Sequence, residues 1–280
     1  KIAYVDSVTF RFMPETGARD AALAAGQVHL NETTDGPTAK RLRGNPAFQV
    51  IPVLPFSVQV LKFNMATGAA TDLNFRKAVQ SAINAEEILA VAYPDIYKMD
   101  QNWVYAGSAY HSNRKLLQQD PAAAKAALAK SGYKGETLVF IVDNARPSVD
   151  VATVIQQQLA QVGINVDLKV SDWPTASGIG LKSDTGWNFW THGFGIEPYE
   201  GPVSAMSHWV KGQGQRKADP QIDALFDKIN AEMNVEAQKK IFMEFEDRMA
   251  DQAIAINLGH YGLFQVATSK LKNFKAYRIP

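Results

Sequence analysis

Cysteine is absent from the 280 residues, which excludes disulfides, thiolate catalysis and cysteine-ligated zinc. An excess of one charge is also missing: 29 Lys and Arg stand against 28 Asp and Glu, a formal net charge of +1. The basic residues are spread evenly, so there is no electrostatic case for nucleic acid or an anionic membrane. Long hydrophobic runs are missing as well. The longest, Ile88 to Tyr93, is far short of the roughly 20 residues that span a bilayer. No charged-then-apolar leader opens the chain, so any signal peptide is expected outside this sequence. There is no internal repeat, low-complexity linker, phosphate loop or Gly-x-Ser-x-Gly elbow. What remains, 46% hydrophobic and 20% charged, is an ordinary globular balance with enough chain to bury a real core.

Periodicity places the elements. Alternation over Ile2 to Phe12 predicts a strand. Arg19 to Ala25 and Ala39 to Arg43 predict short helices around a brief strand at Val28 to Leu30. Phe48 to Val53 and Phe56 to Asn64 read as two strands separated by Pro52 and Pro55. Asp72 caps a long helix, Leu73 to Tyr93, with Asn84-Ala85 as a possible break and Pro94 as the stop. Asp95 to Gln119 has no sustained period and reads as loop. Asp120-Pro121 opens a helix over Ala122 to Lys130. Strand Thr137–Val142, helix Ser148–Val162 and strand Ile164–Val170 then make a βαβ unit with parallel strands. Asp219-Pro220 and Asn234 open two further helices. The tail, Ala253 to Ala267, is strand-like and interrupted at Gly259 and Gly262. Elements alternate from end to end, so the class is α/β.

The order of segments resembles one family: the extracytoplasmic solute-binding proteins of ABC importers, of the dipeptide, oligopeptide and nickel type. Four pieces carry the likeness. Ala22-Leu23-Ala24-Ala25-Gly26 through Leu30 is similar to an "AL-x-x-G-x-x-D" segment, with His29 where an acid is usual. Phe63-Asn64, Asp72 and the run Phe75 to Asn84 resemble an "FN … D-x-x-VRQA … AID" block. Asp120-Pro121, Ala124-Lys125 and Ser131-Gly132-Tyr133 resemble a "D-x-x-KA … AGY" helix. Gln156 to Leu159, Gly163-Ile164 and Val166 resemble "IQ-x-x-L-x-x-IGI-x-V".

The resemblance implies a periplasmic-binding-protein-like clamp of two α/β lobes, one complete here and the other partial. Residues 1–65 would form part of lobe I, 66–251 lobe II, and 252–280 the return to lobe I. The family is longer, and Lys1 falls after its large N-terminal portion. The chain therefore reads as a C-terminal piece with a half-walled cleft, for which weak or absent binding is expected. A periplasmic or extracytoplasmic location, a monomer, permease transmembrane subunits as partners and no cofactor follow from the same likeness.

Within that frame Trp187 to Pro202 is the candidate site. Trp187 and Phe189 read as a strand packing inward. From Trp190 onward the glycines suggest a loop whose aromatic residues can line a pocket. Trp190, His192, Phe194, Glu197, Tyr199 and Glu200 are the candidates, with Tyr261 near the hinge on the same cleft. Carboxylates beside aromatic rings suit an amino-bearing solute, peptide-like or opine-like, since a ring face adds about 0.5–2 kcal/mol to a bound ammonium. In the family's peptide binders a carboxylate about three residues past the tryptophan receives the α-ammonium, and here that position is Gly193. The plainer readings are solvated loop acids at Glu197 and Glu200, and turn packing at His260 and Tyr261. Phe63, Asn64 and Ile256 are the expected hinge. A nickel or metal-chelate binder is the alternative function, although no metal-ligand set stands out around His192, Glu197 and His208. A hydrolase built on Glu197 and Glu200 is a further one. The expectation is a binding protein and not an enzyme.

Overall fold

The computed structural model describes residues 5–13, 15–196 and 200–276. In chain order its elements are α1 (Thr16–Ala24), β1 (Leu30–Thr33), α2 (Gly36–Arg43), β2 (Phe48–Phe63), α3 (Leu73–Ala82), α4 (Ala85–Ala92) and β3 (Tyr97–Lys98). Then come α5 (Pro121–Lys130), β4 (Leu138–Asp143), α6 (Arg146–Gln161), β5 (Val166–Ser171), α7 (Trp173–Lys182), β6 (Phe189–Gly195), α8 (Pro202–Ser207), α9 (Pro220–Ala231), α10 (Val235–Asp251) and β7 (Ala255–Thr268). The described residues form two compact units, one from 5–52 with 263–276 and one from 53–262, and β2 and β7 each run from one into the other.

In the smaller unit β1 pairs antiparallel with the end of β7, Leu30 opposite Ala267 and Thr33 opposite Phe264. The Asp35 side chain caps α2 by accepting the Thr38 N–H at 3.0 Å. Residues 5–13 are not a strand. Val8, Phe10 and Phe12 are exposed there, and Ile2 and Tyr4 lie outside the described residues. Alternation alone does not make a strand when no neighbouring ladder takes up its N–H and C=O groups.

The larger unit is built on strands in the order β7-β2-β6-β4-β5. β2 and β6 are antiparallel from Ser57 opposite Gly195 to Phe63 opposite Phe189. β4 is parallel to both β5 and β6, and α6 crosses between β4 and β5 as the βαβ reading requires. Phe189 is the centre of one face, its ring 5.8 Å from those of Phe63 and Phe140 and 6.2 Å from Phe75 on α3. Burying such a ring stabilises by about 1.5–3 kcal/mol. The other face carries Trp190, Ile141 and Trp187 with Ile179 of α7 packed on them.

Several boundaries differ from the pattern-based expectation. Helix Leu73–Tyr93 does break in two at Asn84-Ala85, the break its sequence offered: Ile83 is extended, and the Asn84 side chain recaps α4 by accepting the Glu87 N–H at 3.2 Å. β2 runs through both prolines as one strand, because proline's fixed φ suits extended backbone and removes only one donor. β7 likewise passes Gly259 and Gly262 unbroken. At Gly259 (φ +127°) a Cβ would sit 2.7 Å from Leu89 Cδ1, so the glycine permits a close approach inside the strand. Helix α7 had no apolar period to announce it. Its signal is Asp172 followed by Trp173-Pro174, with the Asp172 carboxylate accepting the Thr175 N–H at 2.8 Å.

The aperiodic stretch 99–120 is ordered by buried side chains. Glu246 of α10, 1% exposed, accepts the Trp103 N–H at 3.1 Å and lies 3.2 Å from the Ser112 hydroxyl. Asn257 Nδ2 donates to the Asn102 carbonyl at 3.0 Å, and Gln101 Nε2 donates to the Asn257 carbonyl at 2.9 Å. Burial pushes the Glu246 carboxyl up to about 7, against the Trp103 N–H and the charge of Arg114. A cavity of about 50 Å³ beside it has a mixed lining that includes Gln101, Arg114, Asn257, Trp103, Leu117 and Met249.

Candidate functional site

β6 holds most of the candidate residues, and it is a strand where a loop was expected. Trp190 through Gly195 continue the β2 ladder to Ser57, and the turn-like glycines are strand residues. Gly193 is needed because the Tyr261 ring and hydroxyl occupy the space its Cβ would enter. The alternation of a strand then divides the candidates. Trp190, His192 and Phe194 share one face with Lys62, Val60 and Val58 of β2. Tyr261 lies against the other face, stacked on Tyr93 at 4.2 Å, so the two groups do not meet.

On the first face the side chains form a column of rings. Trp190 and His192 have centroids 4.2 Å apart. Phe194 stacks on His208 at 4.3 Å and on Trp103 at 6.0 Å. Trp209 meets Trp103 edge-on at 5.2 Å, and half-exposed Trp173 lies 6.1 Å from Trp190. Trp190 is 1% exposed. Its burial is fixed from α7, where Gly180 lets the helix rest directly on the indole.

The sequence reading missed Lys62. It is 2% exposed, and its ammonium lies 5.2 Å from the Trp190 ring and 5.1 Å from that of Trp209. It makes no hydrogen bond or ion pair among the described residues. Burial lowers its pKa to about 7. Burial, and then the Lys62 charge, lower His208 to about 4 and hold His192 well below the usual imidazole value. His192 Nδ1 is 3.0 Å from the Gly193 carbonyl, which assigns the proton of the neutral ring to Nδ1. His192 Nε2 and the indole N–H groups of Trp190 and Trp209 have no partner among the described residues.

Of the carboxylates, Glu200 lines a cavity of about 10 Å³ with Trp103, Tyr105 and Ile196. Glu197 and Tyr199 lie outside the described residues. Among the described residues no three His, Asp or Glu side chains are grouped to hold a metal ion. No helix among them is long and apolar enough to cross a membrane.

At the expected hinge, Asn64 is fully buried and ties the end of β2 to the entry of β6. Its Nδ2 donates to the Asp184 and Trp187 carbonyls at 2.9 and 3.1 Å, and its Oδ1 accepts the Ala66 N–H at 3.1 Å. Phe63 and Ile256 are buried core residues.

This architecture is that of the periplasmic binding proteins. The binding protein AgaA of A. tumefaciens R10, solved with agropinic acid, superposes at a TM-score of 0.81 with 21% identity, over 92% of this chain and 54% of that one. Residues 1–217 match the family model of the bacterial extracellular solute-binding proteins, family 5 (middle), and the chain belongs to that family. The nickel-binding periplasmic protein of Escherichia coli K12 is 22% identical over 96% of this chain and 56% of its own length. A glutathione-binding protein of Pectobacterium atrosepticum is 24% identical over 96% of this chain and 55% of its own. The chain thus spans about half the length of these relatives.

Proposed function

We propose that the protein is the solute-capturing component of an ABC importer, taking a small polar, amino-bearing solute and delivering it to the membrane permease without chemistry of its own. The observation that carries this reading is the ring column of β6, which ends at Phe194 beside the pocket of Glu200. Stacked rings next to a carboxylate hold an ammonium by charge-assisted hydrogen bonding and ring-face attraction. Glu197 and Tyr199 are further ligand residues of this reading on their chemistry alone, and Tyr261 serves from behind by filling the space under Gly193. Family membership and a relative named for glutathione support a peptide-like solute; a structural neighbour holding agropinic acid supports an opine-like one.

In this reading 1–65 with 252–280 form one lobe and 66–251 the other, a division that runs inside the larger compact unit 53–262, with Phe63, Asn64 and Ile256 as the hinge. Ligand contacts that exist only in the closed state drive that closure. The protein acts outside the cytoplasm as a monomer.

Isothermal calorimetry at full natural length, with pools of dipeptides, opines, amines and sugars, tests the reading. An amino-bearing pool binds, and binding falls about tenfold or more in Glu200→Gln or Glu197→Gln. Sugar binding indifferent to both changes, or turnover of any compound, overturns it. The nickel-binding relative favours a second reading, capture of a metal chelate. Chelator-dependent nickel binding, absent with the bare ion, selects it.

A further inference from the structure

Lys62 stands where few lysines do, in the middle of a sheet and shut between two indoles. A lysine stem passing through apolar packing normally carries its ammonium out to water. Here the ammonium stays inside, 5.2 and 5.1 Å from the ring centres of Trp190 and Trp209. No carboxylate among the described residues pairs with it. Ring faces compensate part of the lost hydration, but they supply no counter-charge. Three further polar atoms in the same shell have no partner: the indole nitrogens of Trp190 and Trp209 and Nε2 of His192. Buried polar groups are almost always paired, so one cation and two indole N–H groups left open around it form a donor set awaiting an acceptor, while unprotonated Nε2 of His192 is an acceptor at its side.

We propose that this box is an anion subsite, in which Lys62 receives a carboxylate group of the solute. The proposal rests on the capture function above and narrows its substrate class to solutes that carry a carboxylate as well as an amine. The carboxylate enters past half-exposed Trp173, which lies 6.1 Å from Trp190 and 6.3 Å from His192 and closes the outer side of the rings. At the ammonium it forms an ion pair in a low-dielectric setting, and the indole N–H groups supply neutral donors.

The charged and titratable neighbours of this box are His192 on β6 and His208 after α8. Both are held neutral near pH 7 by burial and by Lys62. A lysine lowered to about 7 is only partly protonated in neutral buffer, so a bound carboxylate draws a proton onto Nζ.

Two measurements test this. In the first, lysine side-chain NMR and tryptophan emission are followed on the chain and on Lys62→Met, with acetate or acetamide added at constant ionic strength. Acetate raises the Lys62 pKa by about one unit or more and alters the emission, and acetamide does neither. The emission change is absent in Lys62→Met, whose near-ultraviolet circular dichroism reports the retained fold, with Lys62→Gln as the second variant. No response to acetate up to about 0.1 M, or an equal response to acetamide, overturns the subsite.

In the second, calorimetry at full natural length compares the dipeptide Met-Leu with its C-terminal amide. The amide binds about tenfold or more weakly, and Lys62→Met removes the difference. Equal binding of both forms, unchanged in Lys62→Met, overturns the subsite and leaves the capture function standing. An acetate response without binding of either peptide form sustains the subsite and counts against a peptide-like solute.

Discussion

Gly180 of α7 rests on the indole of Trp190 so closely that a Cβ there would fall 2.6 Å from ring atom Cδ2. The contact explains how a tryptophan in a glycine-rich segment comes to be buried, and it makes the helix and the ring face one packing unit. Gly180→Ala measures it. In an open helix the change stabilises by about 1 kcal/mol. Here overpacking reverses the sign, and urea unfolding shows a loss of about 1–3 kcal/mol. A gain in stability would mean that α7 does not press on the ring.

Asn64 gives a second prediction. Asn64→Ala strands the Trp187 carbonyl and the Ala66 N–H, both bonded to the side chain in the native protein. The expected cost is about 3 kcal/mol by urea unfolding. Asn64→Asp keeps the acceptor but turns the Asp184 and Trp187 carbonyls against a carboxylate, so it costs a similar amount and more as pH rises.

Glu246 gives a pH dependence of known sign. Its native pKa of about 7 lies above the ordinary carboxylate value of 4.5. Between those values the native state binds more protons than the unfolded chain, so its contribution to stability falls as pH rises. The full span amounts to about 3 kcal/mol at most. Glu246→Gln removes this component, and the gap between variant and wild type moves in the variant's favour from pH 4.5 to 7. Thermal unfolding over that range, compared pairwise, checks it. A constant gap would mean that Glu246 stays ionised.

Lys62 acts in a different window. Its lowered pKa means that between about 7 and 10.5 the unfolded chain binds more protons than the native one. Stability from this group therefore rises with pH across that range and is lost as pH falls through 7. Lys62→Met flattens the rise and is more stable than wild type near pH 7, because it no longer buries an ammonium without a counter-ion. Urea midpoints at pH 7 and 9.5 separate the two curves.

The elements read from local chemistry are those whose signals lie within a few residues. The Asp120-Pro121 and Asp219-Pro220 caps, the Asn234 cap and the parallel βαβ unit all appear where short-range patterns place them. The family likeness rested on the same segments. The site was harder, because its geometry comes from distant partners. Gly193 looked like a turn residue until Tyr261 filled its missing side chain, and Trp190 looked exposed until α7 covered it. Nothing local marks Lys62, since an alternating strand normally turns such a lysine to water. It is Trp209, far along the chain, that encloses it. Pro52 and Pro55 misled in the opposite sense, as strong local breakers that a long ladder absorbs.

The ladder between β2 and β6 joins residues that are far apart in the chain, as in the bond from Gln59 to Thr191, 132 positions on. Contacts of that separation form late, because the intervening loop must be closed before they give anything back. During synthesis β2 emerges long before its partner and carries Val58, Val60 and Leu61 uncovered for that interval. The lysine at position 62 is then a charged guard on a sticky strand, keeping it in solution until β6 arrives and the two indoles shut around it.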